Sequence, residues 1–177
     1  MFFSKFLVKN KYEKETFHKP EEAKRRDPIW GRRTINDVMV AMCNHLTKQS
    51  NYGENMEALT EEERVFYIAT EVECEVNNGG FEQFFCESSG KFANDAVEAL
   101  RTIGAENMAF FTEKALNAVG GKLPADSAER IQFLKETVND EIREVFAECD
   151  RAFEGDPDDF NAIAYNYLLK NEIQFGE

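Results

Sequence analysis

From Thr34 onward, apolar residues recur at three- and four-residue steps, the spacing of one face of an α-helix. Val38, Met42 and Leu46, with Ala41 and His45 beside them, trace a first helix that ends before Tyr52-Gly53. Thr60-Glu61-Glu62-Glu63 reads as a capping box, and its three carboxylates suit the positive end of a helix dipole. Val65, Ile68, Ala69, Val72 and Val76 then form a buried stripe, which Gly79-Gly80 stops. A short helix is expected from Phe81 to Glu87. Ala93, Ala96, Val97, Leu100 and Ile103 make the next face, broken by Gly104; Met108, Phe111, Ala115 and Val119 line another before Gly120-Gly121. The longest expected helix starts at Asp126 as N-cap and shows Ile131, Leu134, Val138, Ile142, Val145, Cys149 and Phe153 to the core. Asp156-Pro157 looks like a cap and first position for a last helix, with Phe160, Ile163, Ala164, Tyr167 and Leu168 inward. No strand pattern or repeat emerges. The expected fold is all-α, a compact bundle of about six to seven helices preceded by an N-terminal basic arm.

Charge divides the chain at the same place. Residues 1–33 carry ten Lys/Arg against five Asp/Glu, while residues 34–177 carry eleven against twenty-nine, so an arm of +5 precedes a body of −18. Pro28 and Gly31 punctuate the junction, and two units follow: a basic arm over 1–33 and an acidic helical domain over 34–177. Trp30 fits an anchor packing the arm on the body, and His18 lies in the same arm. A net charge of −13 argues against direct nucleic-acid binding, which draws its affinity from Lys and Arg. The chain has no apolar run long enough to span a membrane, although Phe2, Phe3, Phe6 and Leu7 in a basic segment also suit an anionic membrane surface. Four scattered cysteines (Cys43, Cys74, Cys86 and Cys149) and no signal-peptide pattern point to a reducing, cytoplasmic setting.

Catalytic chemistry finds little support. Cys43 and His45 are two residues apart on a helix, about 200° around its axis, so they face different ways. Glu71 and Glu75 stand one turn apart with Glu82 on the next segment, but the Glu-x-x-His signature of carboxylate di-metal bundles is missing. No phosphate-cradling loop or hydrolase motif occurs, and no cofactor, metal or enzymatic activity is expected. The carboxylates read better as a surface. Glu136, Asp140, Glu144 and Glu148 recur every four residues along the expected long helix, about 6 Å per step. DNA presents a phosphate about every 3.4 Å of axis on each strand. One stripe is therefore no phosphate ladder, and mimicry needs several helices side by side, with Glu71 and Glu75 among the contributors.

The stretch Glu75-Val76-Asn77-Asn78-Gly79-Gly80-Phe81-Glu82-Gln83-Phe84 resembles a bacterial family marked by Glu-x-x-Asn-Gly-Gly-Phe-x-Gln-(Phe/Tyr) and named for its DNA-mimic member. Ala96-Val97-x-Ala99-Leu100-x-x-Ile103-Gly104-Ala105 is similar to the family's next helix, and weaker agreement through Asp150-Arg151-Ala152-Phe153 to Tyr167 and Phe175 extends it over roughly residues 60–175. The resemblance implies an all-helical cytoplasmic protein. For the DNA-mimic member it implies a dimer whose acidic face fills the DNA-binding surface of a transcription regulator. The expected partner is a basic DNA-binding protein, with a homodimer as the assembly. The basic arm departs from the family pattern. In the motif, Gly79 and Gly80 suit positive φ, Phe81 suits a core plug, and Gln83 or Asn78 suits bonds to helix-end carbonyls. Two alternatives remain: a polar site of Asn77, Asn78 and Gln83 for a small ligand or unusual chemistry, and an oligomer in which one subunit's arm embraces another's body.

Overall fold

The computed structural model describes residues 34–155 and 158–171. Their seven α-helices are α1 (Ile35–Gln49), α2 (Glu61–Cys86), α3 (Ala93–Ile103), α4 (Glu106–Ala118), α5 (Ser127–Thr137), α6 (Asp140–Glu154) and α7 (Phe160–Lys170). No strand occurs among the described residues, and none of these helices is long and apolar enough to cross a membrane. The arm, residues 1–33 with His18 and Trp30, lies outside the described residues, as do Asp156-Pro157 and Phe175.

Local chemistry sets most helix starts. Thr34 Oγ1 accepts the Asp37 N–H of α1 at 3.1 Å. Thr60 makes both halves of its box: its Oγ1 accepts the Glu63 N–H at 3.3 Å, and its own N–H donates to Glu63 Oε2 at 2.8 Å. Asp126 caps α5 through the Glu129 N–H at 2.9 Å. The start of α4 is served from a distance, with Asp158 Oδ2 accepting the Met108 N–H at 2.6 Å. Each such cap is worth about 1 kcal/mol.

The central helix α2 packs against α1, α3, α5, α6 and α7. Its C-terminal third supplies an aromatic cluster in which Phe81 meets Phe153 edge-on at 5.6 Å between centroids and Phe85 meets Phe146 at 5.7 Å. Phe81, Phe84, Phe85 and Phe153 are wholly buried, each burial worth about 1.5–3 kcal/mol.

Three sequence expectations need correction. The helix expected to run from Asp126 through Phe153 is two helices, because Val138 is extended (ψ 117°) and Asn139 caps α6 by accepting the Ile142 N–H at 2.9 Å. The apolar register bridges this break without a phase change, so periodicity alone reads it as continuous. Gly80 divides α2, with φ 77° and ψ −179°, and a second helical segment starts at Phe81 as expected; of the two glycines expected to suit positive φ, only Gly80 adopts it. The last helix starts at Phe160 behind Asp159, not behind Asp156.

Candidate partner-binding surface

At Gly80 the chain turns because a side chain is forbidden there. A Cβ would sit 2.5 Å from Asp150 Oδ2, and the backbone is left-handed. Asp150, on α6, accepts the Phe81 N–H at 2.8 Å and so caps the second segment of α2 across the fold. Burial raises the Asp150 carboxyl above its ordinary range, while the Phe81 bond opposes that shift.

The three motif amides behave differently from expectation. Asn77 Nδ2 donates to Glu73 at 2.8 Å, Asn78 Nδ2 to Cys74 Sγ at 3.4 Å, and Gln83 Nε2 to Glu75 at 3.4 Å. All three are exposed, and the helix-end carbonyls are held by Arg130 instead. Its side chain is completely buried; Nε donates to Phe85 O, Nη2 to Glu87 O and Nη1 to Ala125 O, each at 2.8 Å, with Nη1 also reaching Pro124 O at 3.2 Å. Desolvation lowers the Arg130 pKa from its ordinary value. Sequence reasoning missed Arg130. Its one local signal was its position four residues before Leu134, on the buried side of α5.

The expected acidic stripe is divided by the α5–α6 break. Glu136 is exposed on α5 and accepts from Gln132 at 2.5 Å. Asp140, Glu144 and Glu148 lie on α6 with Glu141, and all four are exposed. Arg143 bonds Asp140 at 3.3 Å and Glu82 at 3.4 Å, tying α6 to α2. Lys114 reaches from α4 to Glu148 at 2.8 Å, holding that carboxyl below its ordinary range. Glu71 and Glu75 are half-buried on α2. Burial, then the Glu75 charge, pushes Glu71 up to about 7.

The thiols are poor nucleophiles. Burial pushes Cys43 and Cys74 up to about 12 and Cys149 to about 11, so each is protonated at neutral pH. His45 is exposed while Cys43 is half-buried beside Thr70. Among the described residues no group of three His, Cys, Asp or Glu is placed to hold a metal. A shallow groove among α1, α2 and α7 is lined by Met39, Val40, Cys43, Thr70, Glu73 and Phe160, and neither Asn78 nor Gln83 borders it.

About half of the domain's cations are engaged within the chain. Arg64, Lys91, Arg101, Lys114 and Arg143 pair with carboxylates and Arg130 is buried, which accounts for six of the eleven after residue 33. Comparison with curated proteins and with solved structures finds no match. Residues 57–171, most of the described helices, match the family described as DMP19-like protein. The chain thus belongs to the DMP19-like protein family, the DNA-mimic family that its sequence resembles.

Proposed function

We propose that this domain binds a basic DNA-binding protein through its carboxylates and thereby excludes DNA. Family membership supports the class of partner. The observation that carries the reading is the imbalance of charge: twenty-nine carboxylates stand against eleven cations after residue 33, five of those cations pair with carboxylates and Arg130 is buried, whereas Glu136, Glu141 and Glu144 are exposed on two successive helices. Because α5 and α6 are separate helices, their carboxylates are not confined to one helix axis. Attraction of this kind speeds association and weakens with salt. Within the same reading, the basic arm of residues 1–33 is a separate unit that competes with the partner for the acidic domain, and a homodimer doubles the array.

The test uses purified basic regulators from the source organism, each loaded on a labelled operator duplex. Wild-type chain should release the duplex at low salt and fail to at high salt. Glu144→Lys with Asp140→Lys should weaken release; unchanged release by this pair would refute the role of α6. Against the small-ligand alternative, Asn77, Asn78 and Gln83 bond to side chains of their own helix and do not line the groove among α1, α2 and α7.

A further inference from the structure

The groove among α1, α2 and α7 opens close to the point where the chain enters α1. Thr34 caps that helix in an extended conformation, φ −124° and ψ 158°, so the residues before it leave the helix axis. Met39, Val40 and Cys43 line the groove about 7–14 Å along the axis from this cap. The wall they form is apolar. Phe160 of α7 shares it, and Thr70 turns its hydroxyl to its own helix, 2.9 Å from Phe66 O. Val40 keeps 36% of its surface exposed although the residues on either side of the groove are packed into the core. Two polar side chains, Glu73 and Asn161, complete the lining.

These surroundings select an aromatic occupant with cationic neighbours. Asp37 is exposed one turn before Val40, and Glu73 lies in the lining itself, so the rim is negative. A second copy of the acidic domain is repelled from such a rim, whereas the segment of residues 1–33, with ten Lys/Arg against five Asp/Glu, is attracted to it. That segment carries the chain's single tryptophan, Trp30, four residues before the cap and flanked by Arg26 and Arg32. Four residues span at most about 14 Å, enough to bring Trp30 back to Val40. Gly31, next to it, accepts the backbone conformations that a reversal needs. An indole requires an apolar wall for its ring and an acceptor for its N–H. The groove offers both, the acceptor coming from Glu73 or Asn161.

We propose that the arm folds back on α1 and seats Trp30 in this groove, with Arg32 and Arg33 against the acidic rim. The tether between ring and helix is so short that the ring meets its groove at an effective concentration on the order of millimolar. Both the arm and the α1 wall precede residues 57–171, the part of the chain that matches the family, so occupant and receptor belong to one N-terminal stretch. The seat gives the competing arm of the reading above a fixed anchor on the domain; the anchoring itself needs no DNA-binding partner.

Because Trp30 is the only tryptophan, intrinsic emission of the full chain reads its surroundings directly. The native chain should emit to the blue of the urea-unfolded chain and be quenched less by acrylamide. Val40→Lys puts an ammonium into the groove at a partly exposed position and should move the emission to the red, with far-UV circular dichroism unchanged. Phe110→Lys, an equal change of charge at an exposed residue outside the lining, should leave the emission in place. A Trp30→Ser chain should react faster with a maleimide at Cys43, which lines the groove, and at an unaltered rate at Cys86. If Val40→Lys fails to fold, the Cys43 rates decide. Native emission matching the unfolded chain, emission unmoved by a folded Val40→Lys, the same red shift from Phe110→Lys, or an unaltered Cys43 rate would each overturn the proposal. So would a blue shift lost on dilution, which assigns the groove to a second chain's arm. Shielded Trp30 with no duplex released from any regulator keeps the anchor and refutes the partner reading; duplex release by a chain whose Trp30 is solvated does the reverse.

Discussion

Replacing Arg130 by methionine removes four hydrogen bonds while keeping most of the volume of the side-chain stem. Its strongest internal consequence is at Phe85 O, whose bond to Nε is fully buried; the acceptors at Glu87, Ala125 and Pro124 are partly buried and water can reach them after the change. An unsatisfied buried acceptor costs about 1–3 kcal/mol, and partly exposed ones a fraction of that. Relief from burying a cation offsets some of the loss. The net expectation is about 2–4 kcal/mol, a large share of the roughly 5–15 kcal/mol typical of a domain. Urea unfolding followed by far-UV circular dichroism measures it, with an unchanged slope confirming that the native state stays compact. Arg130→Lys retains the charge but not the planar fork, so it should recover only part of the loss. A methionine variant within about 0.5 kcal/mol of the parent would refute the claim that this guanidinium ties the end of α2 to the segment before α5.

Other positions give independent checks. Gly80→Ala should destabilise by about 2–4 kcal/mol, since it combines left-handed strain with a clash against Asp150, and thermal unfolding should show it. Asn139→Ala removes the cap that separates α6 from α5 and should cost about 1 kcal/mol in the same assay. Glu71 has a folded pKa raised to about 7 from an ordinary 4.5, so the folded chain binds more protons there than the unfolded chain does. Its contribution is therefore full below pH 4.5 and is lost as pH rises through about 7. Glu71→Gln should flatten that slope and leave the protein more stable than the parent at pH 8 by an amount on the order of 1–3 kcal/mol, discounted for partial exposure. An unaltered slope in the variant would exclude Glu71 as the group responsible.

Signals confined to a few neighbouring residues were legible in the sequence. Thr60 with Glu63, and Asp126 with Glu129, are capping patterns that need only three residues to be recognised, and both stand in the structure. Gly104 ends α3 with φ 102° for an equally local reason. The α5–α6 break was less legible because Leu134, Val138 and Ile142 keep an unbroken apolar register across it. Its signature was nonetheless present in Asn139-Asp140-Glu141, a cap followed by two first-turn carboxylates. Arg130, Asp150 and Asp158 act on partners 45, 69 and 50 positions away, and no local pattern encodes such pairings. For the surface, composition announced an excess of carboxylate, but only the fold shows that Glu148, exposed like Glu144 one turn before it, is engaged by Lys114.

The Arg130 and Asp150 bonds have a consequence for how this protein can change. Both are made to the main chain, to carbonyls in one case and to an N–H in the other, so they need no particular side chain beyond the glycines at 80 and 90 that leave them room. The exposed carboxylates of α5 and α6 take no part in either. Away from Arg143 and Glu148, which pair with neighbouring helices, charges can accordingly be moved, added or inverted along those helices while these closures persist, which makes the domain a mounting plate whose electrostatic pattern can be redrawn for a new target by surface substitution.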